Sequence, residues 1–203
     1  MKLLIDTDAF CKLAVGGILE DGLRLLGVDL NECGRLPALP YMLRRGRLPR
    51  KYGADICNAL VPIADGIPVI PQPGNAWLDV LTPLESIDPG EALIFAAAAE
   101  HGKCLLSGDK RALRIVKDVA GFPAAMNGRI LVLEAVLIAL CDRLGPEAVR
   151  SRIPPLMSND QVVQICFSNA SEDPRDGLLS YFEDLSSELA PLLLWNPRPG
   201  GER

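Results

Sequence analysis

Three acids stand where folding would bring them together: Asp6 after the apolar run Leu3-Leu4-Ile5, Glu91 in Asp88-Pro89-Gly90-Glu91-Ala92, and Asp109 after Leu105-Leu106-Ser107-Gly108. A short apolar run closed by an acid reads as a buried strand with the acid at its carboxyl end. In an open parallel sheet the strand-to-helix turns converge at that edge, so Asp6 and Asp109 are expected there. Glu91, in the first turn of the helix that precedes the second of these strands, is placed to lean over the same crevice. Unit negative charges ~4 Å apart repel by roughly 4 kcal/mol at an effective dielectric near 20. A divalent cation removes that repulsion. Mg²⁺ and Mn²⁺ take oxygen ligands and keep several waters, and such an ion binds a phosphodiester oxygen and lowers the pKa of an attacking water. The chemistry these residues point to is metal-assisted phosphodiester hydrolysis, with Asp6, Glu91 and Asp109 as ligands.

Each acid also has a structural explanation. Asp88 suits an N-cap, Glu91 three residues later completes a capping box, and Asp109 could cap the helix it begins. Asp6 is harder to explain in that way, because a carboxylate ending an apolar strand needs a partner or an ion. His101 is the sole histidine, which argues against a His-ligated zinc site and against a serine-histidine relay. Near the end of its helix, His101 reads as a complement to the helix dipole.

The elements that must position these acids alternate strand and helix. Strands are expected over 2–5, 67–70, 104–107 and 129–133, with residues 18–60 helical in pieces broken by Pro37, Pro40 and Pro49. The best-marked helix spans 92–100, opened by Asp88-Pro89-Gly90-Glu91 and closed by Gly102. Further helices are expected over 109–119, from Glu134 through Cys141, and over 146–153, 160–167 and 178–194. The pattern predicts an α/β fold: a central, mostly parallel sheet covered on both faces.

Leu4-Ile5-Asp6-Thr7-Asp8, Asp88-Pro89-Gly90-Glu91-Ala92 and Leu105-Leu106-Ser107-Gly108-Asp109-Lys110-Arg111, in that order and spacing, together resemble PIN-domain proteins. That family includes the ribonuclease toxins of prokaryotic toxin-antitoxin pairs. The resemblance covers roughly residues 1–135. It implies a three-layer α/β/α sandwich, Asp6, Glu91 and Asp109 as ligands of Mg²⁺ or Mn²⁺, and a single-stranded or structured RNA substrate. The chain departs from the pattern twice. Many members carry Asn where Asp8 stands, and an additional acid on an early helix has only loose candidates in Asp55, Asp65 and Asp88.

Residues 136–196 form a helical extension expected to pack on the same domain, and 197–203 a frayed tail. The extension and its acidic tail suggest a protein partner, antitoxin-like if the resemblance holds, or a homodimer. Net charge is −5, with the acid excess mostly after residue 170, so any grip on a polyanion must be local. Arg44-Arg45-Gly46-Arg47-Leu48-Pro49-Arg50-Lys51 offers such a patch, expected as a loop that follows a nucleic-acid backbone, while Lys110, Arg111, Arg114 and Lys117 could extend it. Six scattered cysteines form no C-x-x-C pair and read as reduced thiols. The opening residues lack the apolar run of a secretory signal and Ile130–Cys141 is too short to span a bilayer, so a soluble cytoplasmic protein is expected. Two alternatives to a ribonuclease stand: a non-catalytic binding module on the same fold, and a haloacid-dehalogenase-like phosphatase using Asp6 as nucleophile and Asp8 as general acid.

Overall fold

The computed structural model describes residues 1–198. Among them, four strands form one sheet: β1 (Leu3–Ile5), β2 (Cys33–Arg35), β3 (Cys104–Ser107) and β4 (Ile130–Val132). All pairings are parallel and the order is β2-β1-β3-β4. Every strand residue except the half-buried Cys104 is buried. Burial on both faces requires helices on both, and β1 and β4 are accordingly apolar along their length instead of alternating. The chain order reverses between β1 and β3, so the crevice outside their carboxyl ends is the natural place for a site.

One expected strand is displaced. The second strand is Cys33–Arg35, which lies within the stretch expected to be helical, and 67–70 contributes only a parallel bridge between Val69 and Arg35. Cys-Gly-Arg has no β-branched residue to mark it as a strand. Its identity is tertiary: the buried Arg35 side chain donates to the carbonyls of Ala64 (2.6 Å), Leu36 (3.1 Å) and Pro37 (3.4 Å). The basic cluster is likewise not a loop. Arg44 ends the helix Leu39–Arg44, and Arg47–Tyr52 forms its own helix after Gly46, whose φ of 95° makes the turn between them.

The helices after β4 complete the core. Leu133–Leu144 is buried continuously from Leu133 to Cys141, and a helix apolar all round must be covered all round. Pro174–Glu188, Pro146–Arg150 and Leu19–Leu25 pack against it, while Pro154–Met157 packs on the first helix, Thr7–Val15. Leu194 then forms a parallel bridge to Ile130. One hydrophobic cluster runs from Leu3 to Leu194, and residues 135 and 136 share a single helix, so the fold is continuous across that boundary. The last expected helix begins earlier and ends sooner than its periodicity suggests, at Pro174–Glu188. Cys11, Cys33, Cys57 and Cys141 are buried, Cys104 and Cys166 half-buried, and all six are free thiols. Among the described residues no helix is long and apolar enough to cross a membrane. Of the expected frayed tail, 199–203 lie outside the described residues.

Because the Arg35 guanidinium ties β2 to the helix Ala54–Gly66 and to the turn at Leu36-Pro37, Arg35→Met is expected to strand three carbonyls. A loss of about 2–3 kcal/mol, read as a lowered urea midpoint, is the expected outcome. An unchanged midpoint would show that these bonds contribute nothing net.

Candidate active site

Asp6 follows β1 directly, and its backbone N–H donates to the Leu106 carbonyl of β3 (3.0 Å). It stands at the N-cap of Thr7–Val15 but makes no side-chain cap bond. Its carboxylate instead accepts from the Gly108 N–H (3.4 Å) across the β1–β3 junction. Burial pushes Asp6 up to about 6; Asp8 and Asp109 add to the rise, and the Gly108 and Thr7 N–H groups oppose it. A carboxylate that does not cap its helix and is held half-buried beside other acids is a candidate ligand.

Glu91 and Asp109 do cap helices, each with one oxygen. Asp88 Oδ1 accepts from the Glu91 N–H (2.8 Å) while Glu91 Oε2 accepts from the Asp88 N–H (2.8 Å). Asp109 Oδ1 accepts from the Ala112 N–H (2.9 Å). The remaining oxygens, Glu91 Oε1 and Asp109 Oδ2, lie 3.2 and 3.3 Å from the same atom, Nη2 of Arg111. Burial and the contact with Asp109 push Glu91 up to about 7, although the Asp88 N–H opposes this. Asp109 moves the other way: burial raises it, but the Ala112 N–H, the neighbouring Glu91 and Arg111 together hold it below its ordinary value. Crowding of like charges raises one carboxyl of such a pair, while the neighbouring cation keeps the other ionised.

Asp6, Asp8, Asp88, Glu91 and Asp109 line one cleft of about 870 Å³. The sheet topology thus brings the three expected site acids together from three separate segments. Of the loose candidates for a further acid only Asp88 reaches the cleft; Asp65 faces Arg44 (3.2 Å) and Arg35 (4.0 Å), and Asp55 is exposed in the first turn of Ala54–Gly66. Leu36, Pro37, Met42 and Leu48 with Arg47 and Lys51 also line the cleft. Of the basic cluster, Arg47 and Lys51 face the cleft because they stand four residues apart on one helix. Arg44, turned to Asp65, and Arg45 and Arg50 do not line it.

Asp8 has a different role from the other acids. Lys12, four residues on, approaches it at 2.8 Å and Lys51 at 3.5 Å. A Cβ at Gly108 would come within 2.6 Å of Asp8 Oδ2, so the glycine makes room for this carboxylate. Lys12 is itself buried and is shared with Asp160 (2.7 Å), whose Oδ1 caps the helix Gln161–Ser168. Burial opposes the Lys12 charge, yet Asp8 and Asp160 raise its pKa. Lys110 lies 2.7 Å from Glu134, a glutamate with 0% exposure. Neither Glu134 oxygen meets a hydrogen bond of good geometry, so the pair is held by charge. The sequence reading missed Lys12, Asp160, Lys110 and Glu134 as one network. Lys12 inside an apolar helix, four residues after Asp8, and Glu134 inside an apolar run were the available signals.

The donor set fits a hard divalent cation: carboxylate oxygens, with two uncommitted ones aimed at a point now taken by a guanidinium, and the buried Thr7 hydroxyl lining the cleft without a partner. As the side chains stand, no group of three or more His, Cys, Asp or Glu among the described residues is gathered tightly enough to hold a metal ion. Basic groups already neutralise most of the acids, so an ion must displace one of them.

The raised pKa values of Asp6 and Glu91 set a pH dependence. A carboxyl whose folded pKa lies above its unfolded value favours folding while protonated, and that contribution is lost as pH rises through the folded pKa. Thermal stability of the metal-free protein is expected to fall as pH climbs from the ordinary carboxyl values of 3.8 and 4.5 through about 6 and about 7. Asp6→Asn should flatten the lower part of that fall in a series of thermal melts. An equally steep fall would show that Asp6 is not the group strained by burial.

Comparison of the chain with protein-family models, curated proteins and solved structures gave no match, so the functional reading rests on this geometry.

Proposed function

We propose that the cleft is the centre of a PIN-like, metal-dependent ribonuclease, with Asp6, Glu91 and Asp109 holding Mg²⁺ or Mn²⁺ and single-stranded or structured RNA as the substrate. The observation that carries this reading is the convergence of the three carboxylates in one cleft at the β1–β3 switch point, with Glu91 and Asp109 each turning one oxygen to the same cation. A bound ion would supply a phosphate-oxygen contact and an acidified water. The chain's own residues supply the rest. A divalent charge would favour the ionised form of Glu91, its proton passing to solvent, so that both carboxylates would be anionic. Arg47 and Lys51, which line the same cleft, hold the phosphate backbone and offset the acids that would otherwise repel a polyanion. Pro37 and Met42 give an apolar surface on which an unpaired base can rest.

A second reading, a non-catalytic binding module, draws support from the ion pairs that already neutralise the cleft: Lys12 and Lys51 on Asp8, Arg111 on Glu91 and Asp109. The phosphatase alternative is disfavoured, because Asp8 is committed to Lys12 and is not free to act as a general acid.

Incubation of mixed single-stranded RNA with the protein and Mn²⁺ is expected to give EDTA-sensitive cleavage, which Asp6→Asn and Asp109→Asn each reduce to the EDTA background with the fold intact. Mn²⁺-dependent binding without cleavage would favour the binding module. For the grip on RNA, Arg47→Gln with Lys51→Gln should weaken binding and lower the log-log salt slope by about 0.7 for each phosphate no longer neutralised. Neutralising Arg44, Arg45 and Arg50 should leave both nearly unchanged, and the reverse pattern would move the RNA-binding surface away from the cleft.

A further inference from the structure

We propose that Arg111 is a tethered placeholder cation: it occupies the Glu91–Asp109 pair when no metal is bound, yields it to a divalent ion, and then contacts the phosphodiester. This inference rests on the metal-dependent reading above and adds a residue to it.

The geometry separates Arg111 from the other basic groups around the cleft. Helix caps use Glu91 Oε2 and Asp109 Oδ1, so only Oε1 and Oδ2 are available to an outside cation, and both turn to Arg111 Nη2. One nitrogen therefore stands where a doubly coordinated ion would sit. The Arg111 side chain is 58% exposed and makes no other hydrogen bond or ion pair among the described residues. Its neighbour Lys110 is fixed by the buried Glu134, and Lys12 is fixed between Asp8 and Asp160. Arg111 is thus a cation that can leave while its backbone, in the first turn of Lys110–Val116, stays in place.

Exchange is favourable on charge grounds. An exposed ion pair contributes little, while a divalent ion brings twice the charge to the same two oxygens and coordinates them more closely than a hydrogen bond allows. The released guanidinium remains tethered two residues from Asp109, and its planar fork matches phosphate oxygens. Metal binding would in this way turn a cation that blocks the acids into one that binds substrate, so that the cleft gains its grip on phosphate when its ion arrives.

The test measures two ligands on one substitution. Mn²⁺ is titrated calorimetrically into the unmutated protein, Arg111→Gln, Arg111→Lys and Asp109→Asn. A fluorescent phosphorothioate oligouridylate is then bound with and without Mn²⁺. Arg111→Gln is expected to tighten Mn²⁺ binding roughly two- to fivefold, whereas Arg111→Lys stays near the unmutated value. In Mn²⁺, Arg111→Gln should bind the oligouridylate more weakly, with a salt slope shallower by about 0.7; without Mn²⁺ the two proteins should bind it alike. Opposite effects on the two ligands are not what a merely structural arginine would give. Unchanged or weaker Mn²⁺ binding in Arg111→Gln, with normal binding in the unmutated protein, overturns the placeholder role and leaves the metal site standing. An unchanged salt slope in Mn²⁺ overturns the role in phosphate binding. Mn²⁺ binding that Asp109→Asn does not weaken, or no Mn²⁺ binding at all, overturns the metal site itself and this inference with it.

Discussion

Five carboxylates line one cleft, and their mutual repulsion is the constraint around which the surrounding structure is built. At separations of ~4 Å each pair of full charges costs roughly 4 kcal/mol at an effective dielectric near 20. The fold answers in three ways. Lys12 and Lys51 close on Asp8, and Arg111 closes on Glu91 and Asp109. Asp6 faces a backbone N–H of Gly108 and is pushed up toward neutrality by its burial. A cleft arranged in this way can stay folded without an ion and still present oxygens to one.

The part of the chain after β4 belongs to this arrangement. Asp160, at the head of the helix Gln161–Ser168, holds Lys12 from behind, and Glu134, inside the buried helix Leu133–Leu144, holds Lys110. Removing one partner from a buried pair leaves an uncompensated charge, which is far more costly than the pair is favourable. The late helices therefore fix two of the cations that border the acids while also covering Leu133–Leu144, which could not stand in water.

What the sequence made legible was local. A strand that ends in an acid, and a capping box of Asp88 and Glu91 with Pro89 between them, are written in neighbouring residues, so the positions of Asp6, Glu91 and Asp109 and the strands β1, β3 and β4 could be read directly. The strand Cys33–Arg35 could not, because three residues without β-branched character become a strand only beside β1. The direction of the basic cluster depended on its being a helix, which turns Arg47 and Lys51 inward and leaves Arg44 to Asp65. The pairs Lys12–Asp160 and Lys110–Glu134 join residues distant in sequence, and no spacing rule connects them. That Glu91 and Asp109 cap helices with one oxygen and keep the other free was also beyond the sequence, which presented capping and ligation as alternatives.

The central claim is that Asp6, Glu91 and Asp109 together hold one divalent ion. Anomalous diffraction from crystals soaked in Mn²⁺ tests it most directly. The expected result is a single strong peak at the β1–β3 junction, roughly 2.1 Å from Glu91 Oε1 and Asp109 Oδ2, with the Arg111 side chain moved off the pair and Asp6 coordinated directly or through water. Crystals saturated with Mn²⁺ that show no peak there, with Arg111 still seated between the two carboxylates, would contradict the account.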